Sequence, residues 1–235
     1  MICYAFPLAH EAGLLLKHCT EKESFSIDGL HCTLANFGRR RVLIARVGMG
    51  EASAGENTEA LFEHFRLKAV VLAGYGGALV PPLKVGQVVV STNFSSEAVL
   101  GFLRMLSGFD FASFCTTDEV VDTPEMRDSY ARATKSQVAD METEAVAGIV
   151  REHQIPFMAV RAISDDYRQV LPTGALAAGF DAPKGRATPL RLLGYLATHR
   201  GEISPLKKFI AGLSVARGNL TMFLEQLNKE LPASW

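Results

Sequence analysis

The sequence lacks the features of several large classes of protein. Its 24 basic and 25 acidic side chains give a net charge of −1, so a basic surface for nucleic acid is not expected. No stretch is long and apolar enough to span a bilayer, and no basic region precedes the apolar N-terminus, as it would in a signal peptide. The four cysteines and six histidines show no metal-ligand spacing. These absences favour a cytoplasmic protein with reduced cysteines and no bound metal.

The remaining composition is ordinary for a globular protein, with 48% hydrophobic and 21% charged residues. A chain of 235 residues is long enough for one sizeable α/β domain with a substantial core. Because no internal repeat or low-complexity segment divides the chain, we expect a single domain over residues 1–235.

The first third of the chain alternates between strand-like and helix-like segments. The predicted elements are a strand at 1–9, a helix at 10–19, three strands within 25–50 and a helix at 51–65. Asp28 and Gly29 predict a tight hairpin turn. The continuous apolar run AVVLA, residues 69–73, predicts a central parallel strand, because such strands are buried on both faces.

Three further segments have a structural interpretation. The basic cluster Arg39–Arg41 is predicted to be a solvated turn before a strand. The apolar residues 99–114 suit core, a subunit interface or the wall of a pocket, and core is the default. Thr123 and Pro124 predict a helix start, with the threonine as cap and the proline at the first helical position.

Residues 167–235 are predicted to be a mostly helical extension of the domain. A loop is expected first, marked by Pro172, Gly174, Gly179, Pro183 and Gly185. The segment PLRLLGYLATHRG predicts one helix. The last and longest helix is expected to begin with Ser204 as cap and Pro205 at its start.

Glycines follow two of the predicted strands. Gly48 and Gly50 lie at a strand-to-helix turn, where glycine more often serves the turn but where free amides can also bind an anion or ribose. Three glycines follow AVVLA within four residues, namely Gly74, Gly76 and Gly77. Either the backbone bends sharply there or a ligand lies against it, and the sequence leaves both alternatives open.

The strongest functional signal lies in residues 138–166, which read as a strand, a helix and a second strand. Asp140 and Glu142 follow the first strand, and Asp165 follows the buried run FMAVRAI. Binding sites in open α/β sheets lie just beyond the carboxyl ends of the strands. We therefore expect two acidic clusters near one edge of the sheet.

Carboxyl groups at one small site can cleave a glycosidic bond. A carboxylate stabilises the positive charge that develops on the sugar, a protonated acid assists the leaving group, and a third carboxylate takes a proton from water. Glu11, Glu142 and Asp165 can fill these roles if the fold brings them together. Spacing does not choose Glu142 over Glu144, or Asp165 over its neighbour Asp166, so solvated acids at the ends of elements remain an alternative.

At this point the segments VADMETEAVA and PFMAVRAISDD resemble the signature of the nucleoside phosphorylase and nucleosidase superfamily. The flanking segments agree in order: AFPLAHEAGLL, GMGEASAGENTEALFEHF, AGYGGAL with LKVGQVVVST, and TTDEVV. The chain is most similar to 5′-methylthioadenosine/S-adenosylhomocysteine nucleosidases and to hopanoid-associated phosphorylase-like proteins. The resemblance implies a three-layer α/β/α sandwich around a mixed, barrel-like sheet. It also implies cleavage of the N-glycosidic bond of a purine nucleoside.

The resemblance also implies roles for particular residues. Asp165 matches the acid that protonates purine N7, Glu142 matches the ligand of the ribose hydroxyls, and Glu11 matches the glutamate that activates water. Ser164 matches the neighbour that orients the acid. The other expected substrate contacts are Met141, Val120, Val121, Gly76, Gly77 and Tyr75. The chemistry needs no metal or organic cofactor, and related proteins are commonly homo-oligomers.

Water is the predicted nucleophile, because the first loop offers the carboxylate of Glu11, which would repel phosphate. Phosphorolysis stays open, with Arg40 or Arg46 as a phosphate ligand. Arg161 lies inside a buried strand and is expected to pair with an acid rather than with a ligand.

A third alternative is a protein that binds a nucleoside without turnover. Tyr75 stands where members of the superfamily usually carry a small residue, and Val120 replaces the aromatic ring that normally stacks on adenine. Both departures from the family's pattern favour this alternative.

Overall fold

The computed structural model describes residues 1–181 and 186–232. A mixed sheet of ten strands forms its centre, and a two-stranded ribbon lies apart from it. The strands are β1 Ile2–Phe6, β2 Cys19–Ile27, β3 Leu30–Phe37, β4 Arg40–Arg46, β5 Ala69–Ala78, β6 Val88–Ser91, β7 Asp110–Ala112, β8 Phe114–Thr116, β9 Val138–Asp140, β10 Phe157–Asp165, β11 Phe180–Asp181 and β12 Arg186–Ala187.

Eight α-helices accompany these strands in the described ranges. They are α1 Ala9–Leu15, α2 Glu51–His64, α3 Glu97–Arg104, α4 Pro124–Thr134, α5 Thr143–Glu152, α6 Thr173–Gly179, α7 Pro189–Thr198 and α8 Ile203–Glu230. Short 3₁₀ turns lie at Leu16–His18 and Arg200–Glu202.

Strand β5 lies at the centre of the sheet. It runs parallel to β1 on one side and to β10 on the other. The last two residues of β5 also pair, antiparallel, with β9. The burial of residues 69–74 and of all of β10 explains their continuous apolar sequences. The prediction for AVVLA is confirmed, but the strand continues to Ala78, so the three glycines lie within it and not in a loop after it.

Helices cover both faces of the sheet, which confirms the predicted three-layer arrangement. On one face, residues of α1, α3 and α8 pack in one hydrophobic cluster with β1 and β5. On the other face, α2 and α5 pack in a second cluster. Val99, Leu100 and Leu103 belong to the first cluster, so this part of the apolar stretch 99–114 is core.

The predicted start of α4 is confirmed, whereas the predicted start of α8 is wrong. Thr123 caps α4, because its Oγ1 accepts a hydrogen bond from the Met126 amide at 3.3 Å. Helix α8 begins at Ile203, so Ser204 lies inside its first turn instead of capping it.

Two further differences between prediction and structure concern a loop and an edge strand. Helix α6 occupies part of the predicted loop, while Pro183 and Gly185 lie outside the described residues. Strand β2 begins at Cys19, before the predicted start at Phe25. The first half of β2 lies at the edge of the sheet, and most of its side chains are polar and exposed. It is held by backbone pairing with β3, which does not require apolar residues and therefore leaves no pattern in the sequence. The hairpin turn at Asp28 and Gly29 is confirmed, since both have positive φ.

Arg40 ties the C-terminal helix to the sheet. Its guanidinium donates hydrogen bonds to the backbone carbonyls of Asn228, Leu231 and Pro232. Lysine and arginine side chains often bind the free carbonyls at a helix C-terminus in this way. The prediction of a merely solvated turn is therefore wrong for Arg40, and its guanidinium is already occupied in the fold.

The four cysteines are free and buried, as expected of thiols that pack as small hydrophobes. Across the two described ranges, no helix is both long enough and apolar enough to cross a membrane. The same residues contain no group of three or more histidine, cysteine, aspartate or glutamate side chains placed to hold a metal ion.

Candidate active site

The glycines of β5 make room for buried side chains. None of Gly74, Gly76 and Gly77 has a positive φ, so the backbone does not bend sharply there. A Cβ on Gly76 would lie 2.7 Å from Val138 Cγ1, which is closer than packing allows. The sharp bend is therefore not found, while contact of a ligand with Gly76 and Gly77 stays a prediction. The neighbours of Gly74 and Gly77 are charged groups, which form two separate clusters.

The first group is the acid-rich cluster: Glu11, Asp140, Glu142 and Arg161. A Cβ on Gly74 would lie 2.9 Å from both Glu11 Oε1 and Arg161 Nη1, so the cluster packs directly on the strand. Glu11 lies in the first turn of α1 and is buried. Its Oε2 accepts a hydrogen bond from the Leu8 amide at 2.6 Å, and its Oε1 accepts one from the Tyr75 amide at 3.0 Å.

Glu142 precedes α5 and points inward, whereas Glu144 is exposed. Its Oε1 accepts a hydrogen bond from the Gly50 amide at 3.0 Å. Its Oε2 lies 3.4 Å from Arg161 Nη2. The glycine turn before α2 therefore does present an amide to an anion, and that anion is the protein's own carboxylate.

Asp140 fixes the geometry of the cluster. Its Oδ1 accepts hydrogen bonds from the amides of Glu142 and Thr143, at 3.1 and 3.0 Å. Its Oδ2 lies 3.1 Å from Arg161 Nε and also accepts from the Thr143 hydroxyl. The prediction that Arg161 pairs with an acid is confirmed. Asp140 was read from the sequence only as a neighbour of Glu142.

Burial and an excess of negative charge set the protonation of this cluster. Burial is the larger effect, and together with the charge of Glu142 it raises the pKa of Glu11 to about 8. Arg161 and the two amide donors oppose this rise. Burial also raises the pKa of Glu142, and again Arg161 opposes it. Glu11 thus holds a proton up to about pH 8.

The second group, named the ion-paired acid, consists of Asp165 and Arg127. Asp165 Oδ2 is 2.6 Å from Arg127 Nη2, and both side chains are buried. The two side chains therefore form a close, buried ion pair. The Ser164 hydroxyl donates to Oδ1 at 2.5 Å. Burial raises the pKa of Asp165, while Arg127 and Ser164 oppose the rise.

Sequence reasoning missed Arg127. It lies one turn into α4, and its side chain has no exposed surface. Its Nη1 donates to the Ala78 carbonyl at 2.9 Å, and its Nη2 to the Gln169 carbonyl at 3.4 Å. Arginines on helices are usually exposed, so the sequence does not indicate that Arg127 is buried. The predicted helix start at Thr123 indicates only that Arg127 lies near the beginning of α4.

The two acidic segments meet for a reason that differs from the one expected. The sequence predicts that both follow the carboxyl ends of strands at one edge of an open sheet. Strand β9 instead runs antiparallel to β5, while β10 runs parallel to it. Ala139 and Asp165 both lie opposite Gly77, and a register shift between Ile163 and Asp165 precedes that pairing. The end of β5 therefore brings the two segments together.

The other predicted contacts differ in their exposure. Val120 is 47% exposed, whereas Val121 is buried and packs with Cys115 and Ala139. Met141 is half-buried beside Glu142. Val120 and Val121 lie on the segment that precedes α4, and Met141 lies on the one that precedes α5.

The backbone amide of Tyr75 contacts the acid-rich cluster at Glu11. The Tyr75 ring packs against the hydrophobic cluster that contains α8 and lies 5.3 Å from the His10 ring. Its hydroxyl is buried, and no hydrogen-bond partner for it lies within residues 1–181 and 186–232. The phenol is therefore directed towards the helical layer, while the amide of the same residue holds Glu11.

The carboxyl groups are nearly closed off from solvent, since Glu11, Glu142 and Asp165 are only 3%, 5% and 3% exposed. Two cavities lie elsewhere. One, of about 520 Å³, is at the opposite end of β10, beside residues 93–98 and 151–157. The other, of about 260 Å³, lies between α1 and strands β3 and β4 and includes Arg46. The acids line neither of these two cavities.

The chain matches the family model described as "Phosphorylase superfamily" over residues 1–110 and 109–179. A curated relative is the 5′-methylthioadenosine/S-adenosylhomocysteine nucleosidase of Shewanella denitrificans. It is 26% identical over 193 residues, covering 66% of this chain and 82% of that protein.

Two solved structures are similar to this fold. Futalosine hydrolase of Helicobacter pylori has a TM-score of 0.75 at 16% identity, covering 98% of this chain and 97% of that one. The S-adenosylhomocysteine nucleosidase of Streptococcus pyogenes, in complex with 5-methylthiotubericidin, has a TM-score of 0.74 at 18% identity. It covers 99% of this chain and 97% of that one. These likenesses establish the fold.

Proposed function

The chain belongs to the phosphorylase superfamily, and from that premise we propose that it is an enzyme that hydrolyses the N-glycosidic bond of a purine nucleoside. One observation carries the proposal: two buried acid centres of different charge balance lie along the same strand, β5. Glycosidic cleavage needs carboxyl groups in different protonation states on the two sides of the scissile bond. The name of the curated relative supports an adenosine-type substrate with a 5′ substituent.

The proposed reaction uses the acid-rich cluster on the sugar side. Glu142 accepts hydrogen bonds from the ribose hydroxyls, and the negative cluster stabilises the positive charge on the sugar. Glu11, once ionised, takes a proton from water as the water oxygen forms a bond to C1′. Arg161 and Asp140 hold Glu142 in place and do not contact substrate.

Asp165 acts on the base side in this proposal. The C1′–N9 bond breaks, its electron pair moves into the purine, and the carboxyl proton of Asp165 is transferred to N7. Ser164 orients the carboxyl through its contact with Oδ1. We place the base beside Val120 and Val121, and Met141 with Glu142 beside the ribose. The products are the free purine and the free sugar.

Phosphorolysis is the second candidate, and one observation favours it. Arg161 Nη1 is buried beside Glu11 and has no hydrogen-bond partner in the described part of the chain. A protonated Glu11 would not repel phosphate, so an anion could use this N–H group. Among the arginines named from the sequence, Arg40 is occupied by the C-terminal carbonyls, while Arg46 lines the cavity beside α1.

Base release from a panel of purine nucleosides, including 5′-thio and 5′-alkyl adenosines, tests the proposal. We expect free base and free sugar in phosphate-free buffer, with Glu11→Gln strongly impaired. Release that requires phosphate and yields a sugar 1-phosphate would replace hydrolysis by phosphorolysis. Binding of nucleoside without any release would overturn both and leave a binding protein.

A further inference from the structure

Arg127 is a buried arginine that the proposed reaction has not used so far. Its side chain has no exposed surface, and its ion-pair partner is Asp165, 2.6 Å away. An arginine removed from water in this way destabilises a fold unless a carboxylate and further hydrogen-bond acceptors compensate it. The Ala78 and Gln169 carbonyls provide those acceptors. Arg127 and Asp165 therefore form one electrostatic unit.

The strand is shaped to admit this unit. A Cβ on Gly77 would lie 3.1 Å from Arg127 Nη1 and 3.1 Å from Asp165 Oδ2. Any side chain larger than hydrogen would press on both members of the pair. Helix α4 brings the guanidinium, β10 brings the carboxyl, and the bare backbone of β5 lets them meet.

Few other charges act on Asp165. Asp166 follows it in sequence and has a weaker, opposite effect on its protonation. Asp166 is itself 3.9 Å from Lys208 on α8, at the protein surface. Arg127 is thus the dominant charge beside the Asp165 carboxyl.

We propose that Arg127 is a positioning residue for bond cleavage: it fixes the Asp165 carboxyl against β5 and stabilises the carboxylate that remains after proton transfer. The inference rests on the proposed function. In the step concerned, the O–H bond of the carboxyl breaks and an N–H bond forms at purine N7. The electron pair stays on the carboxylate, next to the guanidinium.

The sign of the pH effect follows from this arrangement. Asp165 must be protonated at the start of the step, so the rate falls as pH rises through its pKa. Arg127 favours the ionised form and opposes the increase of that pKa by burial. Without the arginine, the fall in rate is expected at higher pH, and the step itself is expected to be slower.

Three variants test the inference. Arg127→Gln is expected to lower kcat roughly 10²-fold with little change in KM, and to move the alkaline fall upward by about one pH unit. Arg127→Lys keeps the charge and is expected to return the fall close to its wild-type position. Arg132→Gln changes an exposed arginine of the same helix and should match wild type. A loss of kcat in Arg127→Gln without any shift of the pH profile would overturn the proposal.

A second measurement does not depend on turnover. The carboxyl ¹³C resonance of Asp165, assigned with Asp165→Asn, can be titrated in wild type, Arg127→Gln and Gly77→Ala. We expect a higher midpoint in both variants, with the smaller change in Gly77→Ala, which loosens the pair without removing its charge. Equal midpoints would overturn the role of Arg127. Absence of base release by the wild type would instead refute the proposed function.

Discussion

The acid-rich cluster and the ion-paired acid contain the same residue types but differ in charge balance. The first has three carboxyl groups for one guanidinium, and the second has one for one. Gly74 and Gly77, on which they pack, are three residues apart, which is about 10 Å along a strand. Burial, and after it the charge of Glu142, raises the pKa of Glu11 to about 8; burial also raises the pKa of Asp165, but there Arg127 opposes the rise. The comparison teaches that one strand can hold acids with different tasks if their counter-charges differ.

The largest expected effect comes from removing the sugar-side carboxylate. Glu142→Gln is expected to lower base release roughly 10³-fold, because the amide cannot stabilise positive charge on the sugar. Glu144→Gln is the matched control, two residues away and exposed, and should retain wild-type rates. If both variants were equally active, the acid-rich cluster would have no part in the reaction.

The base-side acid is expected to matter slightly less. Asp165→Asn should reduce purine release about 10²- to 10³-fold, the usual contribution of a general acid. Asp166→Asn, which alters a partly exposed carboxyl paired with Lys208, serves as the control. Equal rates for Asp165→Asn and wild type would show that Asp165 is not the general acid.

The raised pKa of Glu11 can be tested through the pH dependence of the free energy of unfolding. This pKa rises from 4.5 in the unfolded chain to about 8 in the fold, so the folded state binds a proton that the unfolded state has released. The free energy of unfolding should therefore fall as pH increases from 4.5 to 8, by about 2–4 kcal/mol from this one group. Urea unfolding at several pH values measures it, and Glu11→Gln should flatten the slope. Identical slopes would mean that burial and Glu142 do not raise the pKa of Glu11.

The smallest effect concerns Tyr75, at the border of the acid-rich cluster. Tyr75→Phe removes a buried hydroxyl that no described residue pairs with, and should stabilise the protein by up to about 1 kcal/mol. Tyr4→Phe is the opposite case, since the Tyr4 hydroxyl donates to Asn228 Oδ1 at 3.1 Å, and it should destabilise by about 1 kcal/mol. Destabilisation by Tyr75→Phe, or loss of base release, would show that its hydroxyl does bind a partner or a ligand.

Much of the fold was predictable because its signals are local. The buried strand β10, the cap at Thr123 and the hairpin at Asp28 each follow from a few neighbouring residues. The start of β2 and helix α6 were not predictable in this way. An exposed edge strand carries no apolar alternation, and α6 lies in a segment rich in glycine and proline.

The site was predictable only in part, for a similar reason. A charge inside a buried strand must be paired, which is why the partner class of Arg161 could be predicted. The burial of Glu142 rather than Glu144 is decided by contacts with Gly50 and Arg161, far away in sequence. The burial of Arg127 likewise depends on contacts with Gly77 and Asp165, which are distant in sequence. The single domain and the homo-oligomer stay predictions.

The division of tasks between the two clusters is tested most directly with p-nitrophenyl β-D-ribofuranoside, whose leaving group needs no proton. The rate of nitrophenol release would be measured for wild type, Glu142→Gln and Asp165→Asn. The account predicts that Asp165→Asn stays within about tenfold of wild type, because its proton is no longer required. Glu142→Gln should still lose most of its activity. Equal losses in both variants would contradict separate roles for the two acid centres.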